Sequence, residues 1–355
     1  MKRIFSVAAL AALLLTAVAG TAHARSWRIN NNVSRKAHFL DINAACASEE
    51  VQDGDTLYLD PGCNITTAQT ISKRLTVIGP GFSGEAHQLA ILQRDLSITA
   101  SNTKVEGLYF TDGSIYFRCT SSGKYTDHIT VERCRLDKGG IKTYFTNSNA
   151  TLFRSQYNTI RQCYIANDAI VGSGATSEQT LGWTIENCII RDNYSLASIR
   201  DLYQATIRNN DVTNTTSYEA IGELHSAVIT NNIFLSRKLD YSYRNLTNCT
   251  MRSNVMACAE QTDYPNNTFL NMVYTEAEPL LFTLEGNDLD YQLTENSPAK
   301  GAGAEGEDCG PMSGNYPYVP YCRPYGIPYY TSASASTRPT NGQVKINHKV
   351  TIQKQ

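Results

Sequence analysis

The sequence predicts an all-β protein whose core is a right-handed, single-stranded parallel β-helix, a solenoid with one coil per repeat. Three observations predict it: a fixed repeat period, short β-branched segments in each repeat, and polar turn residues between them. Residues 183–256 contain four such segments, anchored at Ile185, Ile207, Ile229 and Met251, which follow one another at 22-residue intervals. A period of this length is typical of solenoids, in which each unit stacks on its neighbour.

The same pattern continues upstream with looser spacing, at Val77, Val105, Val131 and Ile160. A helical repeat would place apolar residues at i, i+3, i+4 and i+7, whereas these segments alternate and are rich in β-branched residues. One strand per segment, paired with the next segment at about 4.8 Å, describes successive coils of a parallel β-helix. We therefore expect the anchors to point inward and to stack on one another.

A second column follows the anchors by three positions. Its members are Cys134, Cys163, Cys188, Asn210, Asn232 and Asn254. Asn side chains can hydrogen-bond from rung to rung as a ladder, and small Cys side chains can fill the same inward place. We expect these three cysteines to be reduced. In an exported protein, Cys46 with Cys63 and Cys309 with Cys322 are the better candidates for disulfide bonds.

The first 24 residues predict a signal peptide of bacterial style. Lys2 and Arg3 make a basic start, residues 7–18 are apolar, and Ala22-His-Ala24 is a small-x-small cleavage site. We therefore expect an exported protein, periplasmic or extracellular. No other apolar run is long enough to span a membrane. The 31 Lys and Arg against 33 Asp and Glu give no support for nucleic-acid binding.

The mature chain divides into four predicted parts. Residues 25–52 form an arm and a short helix, which caps the open end of the solenoid and hides its strand edge. Residues 53–303 form the β-helix. Residues 304–341 are an irregular extension rich in Pro and Tyr, whose tyrosines pack on the β-helix or stack on sugar rings. Residues 342–355 alternate apolar and polar side chains as one terminal strand.

Three motifs carry a resemblance to a known superfamily. The first is Gly54-Asp-Thr-Leu-Tyr-Leu59, which leads to a Pro-Gly turn. The second is Leu75-Thr-Val-Ile-Gly-Pro-Gly81. The third is residues 290–303, a segment of the kind with which such solenoids end. In these stretches the chain resembles the pectate-lyase-like right-handed parallel β-helix superfamily, and is similar to uncharacterised secreted β-helix proteins of Bacteroidota type. That superfamily includes polysaccharide lyases, glycoside hydrolases and non-catalytic proteins. The resemblance therefore implies the fold and a polysaccharide partner, but no particular reaction.

Any chemistry should lie on outward positions of neighbouring coils, because inward side chains fill the core. A second inward column consists of Ile141, Ile170, Ile199 and Ile221. Residues beside it face outward and could line a groove for an acidic glycan. The candidates for catalysis are Lys142, Arg200, Glu223, His225 and Tyr243, and those for substrate binding are Asp201, Glu219, Tyr241 and Arg244.

Polysaccharide lyases of this fold need a group that neutralises the uronate carboxylate, usually Ca²⁺, Lys or Arg. They also need a base that removes the α-proton. The resemblance therefore implies Lys142 or Arg200 in the first role and His225 or Tyr243 in the second. The alternative interpretation is that these residues belong to an ordinary solvated face of a non-catalytic structural or surface-adhesion protein.

A hydrolase would instead need two carboxyl groups flanking the glycosidic bond, and Glu219 with Glu223 is the candidate pair. A lyase is favoured over this alternative. No metal site or cofactor is evident from the sequence. Ca²⁺ is compatible with the resemblance, but no ligand row supports it: Asp137, Asp168 and Asp192 come nearest and drift in register. The oligomeric state is left open.

Overall fold

The computed structural model describes residues 24–147, 149, 151–172, 179–191, 197–214, 219–236, 246–257, 266–275, 282–283, 291–319, 328–335 and 346–352. Residues 1–23 of the predicted signal peptide lie outside these ranges, as do Tyr241, Tyr243 and Arg244 of the predicted site. No helix in the described part is both long and apolar enough to cross a membrane.

Parallel strands stack into three sheets around one core, which confirms the predicted parallel β-helix. From Thr56 to Thr247, each coil supplies a strand to sheet 1, then to sheet 2, then to sheet 3, before the next coil begins. These sheets contain eleven, ten and eight strands respectively. Every neighbouring pair within them is parallel, as a solenoid with one direction of winding requires.

Sheet 1 comprises β1 (Ser26–Ile29), β2 (Thr56–Leu59), β5 (Thr76–Ile78), β8 (Lys104–Glu106), β11 (Thr130–Glu132), β14 (Thr159–Arg161), β17 (Thr184–Glu186), β20 (Thr206–Arg208), β23 (Val228–Thr230), β26 (Thr250–Arg252) and β28 (Thr268–Leu270). Sheet 2 comprises β3 (Asn64–Ile65), β6 (Ile91–Leu92), β9 (Tyr109–Phe110), β12 (Arg135–Leu136), β15 (Tyr164–Ala166), β18 (Ile189–Arg191), β21 (Asp211–Asn214), β24 (Ile233–Ser236), β27 (Val255–Met256) and β29 (Val273–Tyr274). Sheet 3 comprises β4 (Gln69–Ile71), β7 (Leu96–Ile98), β10 (Ile115–Cys119), β13 (Ile141–Phe145), β16 (Ile170–Val171), β19 (Ile199–Tyr203), β22 (Ile221–His225) and β25 (Leu246–Thr247).

Two antiparallel pairs lie outside these sheets. They are β30 (Phe282–Thr283) with β31 (Gln292–Leu293), and β32 (Pro328–Ala335) with β33 (Ile346–Ile352). The helices are α1 (Ile42–Ala47) and two short 3₁₀ helices, Val33–Arg35 and Ala86–Gln88.

Helix α1 covers the free edge of β4, the terminal strand of sheet 3. Asp41 caps the helix, since its side chain accepts a hydrogen bond from the Ala44 amide at 2.7 Å. The Asn43 side chain donates to the Ala68 carbonyl at 2.9 Å and accepts from the Thr70 amide at 2.8 Å. These bonds satisfy backbone groups that the strand edge would otherwise expose.

The predicted anchor column and the predicted Asn ladder are both present. Ile185, Ile207, Ile229 and Met251 pair in register and are fully buried. The Asn232 carboxamide oxygen accepts from the Asn210 amide and from its side-chain Nδ2, each at 2.9 Å, and the bond pattern repeats on the next rung. Each Asn therefore satisfies the backbone of one coil and the side chain of another.

The bend between sheets 1 and 2 repeats one backbone conformation on each rung from Gly107 to Asn271. The residue before the ladder position has a positive φ, from 49° at Arg133 to 68° at Gly107. Asn fills this place at Asn187, Asn209 and Asn231, because it tolerates the left-handed region better than most residues. The sharp bend thus aligns the column that follows it.

The cysteines follow the prediction only in part. Cys134, Cys163 and Cys188 are buried, free and stacked in the ladder column, as expected. Burial raises the pKa of the Cys163 thiol well above its usual value. The predicted bond between Cys46 and Cys63 is wrong: both thiols are free, and Cys46 lies beside Ser72 whereas Cys63 lies beside Asn31.

The Cys309 thiol is free and donates to the Ser253 carbonyl at 3.2 Å, while its predicted partner, Cys322, lies outside the described residues. This contact belongs to a C-terminal strap, residues 299–319, that runs along the bend between sheets 1 and 2. Asn187 donates to the Pro311 carbonyl at 2.9 Å, and Gln162 donates to the Pro317 carbonyl at 2.7 Å. Side chains at the bend between sheets 1 and 2 therefore bind the strap through hydrogen bonds.

Residues 291–319 also cover the outer face of sheet 2. The outward side chains of Ile189, Ile233 and Val255 are buried against this segment, together with Tyr291 and Tyr318. Sheet 2 is thus buried on both faces in the later coils, which explains why β18 and β24 begin with adjacent apolar residues. Of the extension's tyrosines, Tyr318 is buried in this cluster, and the Tyr316 ring lies 4.3 Å from the guanidinium carbon of Arg161. Sheet 3 has no such cover in the described part.

Candidate functional site

The outer face of sheet 3 carries the described residues of the predicted site. On β19, Ile199 and Leu202 point into the core, while Arg200 and Asp201 are partly exposed. On the next strand, β22, Glu223 is exposed. The alternation of a half-buried strand therefore places the charged residues of successive coils on one surface.

Asp201 and Glu223 share an unusual backbone conformation. Their φ angles are +59° and +49°, and the strand register on either side of them places one directly above the other. The other described non-glycine residues with positive φ lie outside the strands, whereas Asp201 and Glu223 lie within them. Backbone strain at such positions often accompanies function. The preceding rung accommodates it with Gly172, where a Cβ atom would lie 2.3 Å from the Asp201 carbonyl oxygen.

The surroundings of Asp201 raise the pKa of its carboxyl group. Burial raises the pKa of Asp201, and the nearby Glu223 raises it further. Arg200, whose Nη1 is hydrogen-bonded to the Asp201 carboxylate, and His225 both oppose this shift. Asp201 is therefore a carboxyl group poised to take up a proton from solvent or substrate more readily than an ordinary aspartate.

His225 is fixed by an aromatic partner on the neighbouring rung. Its imidazole ring stacks on the ring of Tyr203, with centroids 4.5 Å apart and planes within 7°. The two residues are paired in the strand register. Sequence analysis missed Tyr203, although it occupies the position of His225 one coil earlier. Because both side chains are held on strands, the imidazole has a defined direction.

The structure brings together Arg200, Asp201, Glu223 and His225, but it separates other members of the predicted set. Lys142 lies on β13, two strands from β19, and its Nζ pairs with Asp168 Oδ2 at 2.6 Å. Glu219 is buried, with 6% of its surface exposed. It precedes β22, and its carbonyl accepts from the Ser198 amide at 3.2 Å. Glu219 and Glu223 therefore do not share an exposed surface.

A second set of residues on sheet 3 went unnoticed in the sequence. Arg118 on β10 lies between the rings of Tyr116 and Tyr144, with its guanidinium carbon 4.6 Å and 4.9 Å from their centroids. Its Nε donates to Ser97 Oγ at 2.8 Å. The signal was a Tyr-x-Arg pair followed 26 residues later by Lys142-x-Tyr144, in the same register.

The aspartates that came nearest to a Ca²⁺ ligand row are occupied otherwise. Asp137 is bonded by Arg135 at 2.6 Å and by the Tyr109 hydroxyl, and Asp168 is paired with Lys142. Asp192 lies outside the described residues. Within the described ranges, no group of three or more His, Cys, Asp or Glu side chains could hold a metal ion. The paired carboxylates do not fit a Ca²⁺ row.

The comparisons with known proteins concern the fold. No protein-family model matches the chain, and no curated protein does either. Among solved structures, the chain is similar to pectate lyase Pel9A, with 13% sequence identity and a TM-score of 0.40. That alignment covers 83% of this chain and 98% of the pectate lyase chain. The parallel strand pairing described above is what establishes the β-helix.

Proposed function

We propose that the chain is an exported protein that binds and cleaves an acidic polysaccharide along the outer face of sheet 3. One observation carries the proposal. Arg200, Asp201, Tyr203, Glu223 and His225 converge on two consecutive rungs, and both acids are held in a left-handed conformation. Aligned titratable groups on rigid strands are what acid–base catalysis requires.

The reaction that suits these groups is β-elimination. A base removes the proton α to a uronate carboxylate, and the electrons of that C–H bond form a carbon–carbon double bond. The glycosidic C–O bond then breaks, and its oxygen takes a proton from an acid. His225 is the base in this proposal, and Asp201, with its raised pKa, is the acid. Tyr243, the other predicted base, lies outside the described residues.

Arg200 has a conditional part in this scheme. Its guanidinium is bonded to the Asp201 carboxylate, so that its charge is offset while Asp201 is ionised. Once Asp201 takes up a proton, Arg200 loses its anionic partner and can face the substrate carboxylate. The cycle thus couples the charge of the acid to the availability of the cation.

The test is an absorbance assay for the unsaturated product, with a panel of uronic-acid polysaccharides as substrates. His225→Ala should lower the rate at least about 100-fold. The chain offers a matched control in His128, which also stacks on a tyrosine, Tyr157, with centroids 5.3 Å apart. His128→Ala should leave the rate unchanged. A His225→Ala variant with the full rate would overturn the assignment.

A second candidate is a non-catalytic glycan-binding or surface-adhesion protein. The observation in its favour is that Lys142 and Arg200 are each paired with a carboxylate. Binding to the panel without absorbing product would support it. New reducing ends without that absorbance would instead indicate hydrolysis, and the acids to mutate would be Asp201 and Glu223, because Glu219 is buried.

A further inference from the structure

We infer that Tyr116, Arg118, Lys142 and Tyr144 form a separate subsite that binds a uronate residue of the polysaccharide. These four side chains, here called the tyrosine–cation square, lie on the outer face of β10 and β13. The inference rests on the proposed function for the polymeric nature of the ligand. It names the charged group that the protein recognises and the residues that recognise it.

The square alternates aromatic and cationic side chains in both directions. Tyr116 pairs with Lys142 and Arg118 pairs with Tyr144 in the register of the two strands. Each cation therefore has a tyrosine beside it along its own strand and another across the sheet. Lys142 is paired with Asp168, so the positive charge that this surface offers to a sugar carboxylate is that of Arg118, beside the ring faces that it offers to the sugar.

Arg118 has no acidic partner among the described residues. Its Nε is bonded to the neutral Ser97 hydroxyl, and the two tyrosine rings pack against its guanidinium carbon. Elsewhere on the β-helix, two other partly buried arginines are paired: Arg135 with Asp137 at 2.6 Å, and Arg161 with Glu132 at 3.0 Å. An ordered cation without a counter-charge is the feature that complements an anionic ligand.

The orientation of Arg118 suits a carboxylate in particular. Because Nε is engaged by Ser97, the Nη1 and Nη2 groups remain for the ligand. These two donors form a planar fork that matches the two oxygens of a carboxylate. The rings fix the guanidinium before the ligand arrives, so little conformational entropy is lost on binding. Tyr144 is 45% exposed, which leaves a ring available to stack on a sugar.

The square and the Arg200–His225 cluster are distinct places on one face. Within sheet 3, β13 is separated from β19 by β16 alone. At about 4.8 Å per strand, the two sites are thus roughly 10 Å apart along the solenoid axis. A single sugar ring at the square cannot also reach the cluster. A polymer that runs along the axis can occupy both.

Binding of the full chain to a polyuronate and to the same polymer with its carboxyl groups reduced to alcohols tests the inference. Wild-type protein should bind the polyuronate at least about tenfold more tightly, a difference of about 1.4 kcal/mol. Arg118→Met keeps the packing between the rings and should abolish that preference. Arg135→Met is the matched control, because Arg135 also lies between two tyrosines, and it should leave the preference intact.

Tyr144→Ala separates the aromatic contribution from the charge. It should weaken binding of the polyuronate and of its reduced form by similar factors, whereas Arg118→Met affects the polyuronate alone. Equal affinity of wild-type protein for the two polymers would overturn the inference. So would an Arg118→Met variant that retains the preference, or tighter binding of a sulfated polymer than of a polyuronate of equal charge density.

Failure of this inference can be told apart from failure of the proposed function. If wild-type protein binds the polyuronate through Arg118 but forms no unsaturated product, the subsite stands and the lyase proposal fails. If product forms and His225→Ala abolishes it while Arg118→Met changes nothing, the lyase proposal stands and the subsite fails. Each variant therefore reports on one proposal.

Discussion

Two arginines of this β-helix each contact two tyrosine rings, and they differ in the group that is bonded to Nε. Arg135 on sheet 2 has its guanidinium carbon 5.3 Å and 5.0 Å from the ring centroids of Tyr109 and Tyr164. Arg118 on sheet 3 lies at similar distances from two rings, but Tyr116 is on its own strand and only Tyr144 is on a neighbouring rung. The Nε of Arg135 is bonded to the Asp137 carboxylate, whereas that of Arg118 is bonded to a serine hydroxyl.

That single exchange changes what each arginine can do. Asp137 cancels the charge of Arg135 and also accepts a hydrogen bond from the Tyr109 hydroxyl, so that the whole group is satisfied internally. Ser97 fixes the direction of Arg118 and leaves its charge uncompensated. The same side-chain stack is therefore a stabilising element on sheet 2 and a candidate binding element on sheet 3. Four measurements test this distinction.

The largest expected effect concerns stability. Arg135→Met should lower the free energy of unfolding by about 2 kcal/mol, because it leaves the partly buried Asp137 carboxylate without its cation. Arg118→Met removes no ion pair and should change stability by less than about 0.5 kcal/mol. Urea-induced unfolding of the two variants measures the difference. Equal losses of stability would show that the stacks are equivalent.

The next effect comes from supplying the missing carboxylate to sheet 3. Ser97→Asp should make the Arg118 stack resemble the Arg135 stack and lower the affinity for a polyuronate about tenfold, or about 1.4 kcal/mol. Ser97→Asn has nearly the same shape without the charge, and should retain most of the affinity. Calorimetric titration of both variants gives the comparison, and an unchanged affinity for Ser97→Asp would contradict it.

A smaller effect is expected from salt. Exposed charges are screened as ionic strength rises, so polyuronate affinity should fall about threefold between 0.1 M and 1 M salt. Arg118→Met should flatten this dependence, and Arg135→Met should not alter it. Binding measured at a series of salt concentrations decides the matter. A slope that is the same for Arg118→Met and wild type would remove Arg118 from the interaction.

The smallest effect is the ionisation of Tyr109, whose ring contacts Arg135 on sheet 2. Burial, together with the hydrogen bond to Asp137, raises the pKa of Tyr109 to about 12. The contribution of neutral Tyr109 to the free energy of unfolding is therefore complete below about pH 10, the pKa of a tyrosine in the unfolded chain. It is lost as the pH rises through about 12. Phenolate absorbance, with Tyr109→Phe as the reference, should show this late ionisation. Asp137→Asn should move it lower, though burial keeps part of the shift.

The fold could be predicted from sequence because its signal is repeated. Eight anchors and a column of Cys and Asn recur at one offset, and each repetition reinforces the same inward assignment. The sequence-based predictions failed where the contacts of one coil differ from those of the next. Cys46 and Cys63 are close in sequence but meet different neighbours, so their spacing did not determine a bond.

The candidate site was harder to predict for a related reason. Side chains on sheet 3 face each other only across coils of unequal length, and Ile141 follows Ile115 by 26 residues whereas Ile170 follows Ile141 by 29. Tyr203 and His225, by contrast, are separated by the regular 22 residues, so their pairing could have been predicted from the alignment of Ile199 with Ile221. The left-handed Asp201 has no local signature either, because the neighbouring coils impose its conformation.

The C-terminal strap has a consequence for the order in which the chain folds. Neighbouring coils form from contacts between residues 18 to 30 positions apart, whereas the bond between Gln162 and Pro317 spans 155 residues. Contacts of such long range form late. Until residues 291–319 pack on sheet 2, its outward apolar side chains are exposed to water and favour aggregation. A chain that is interrupted before residue 291 would complete its coils and still expose these apolar side chains to water.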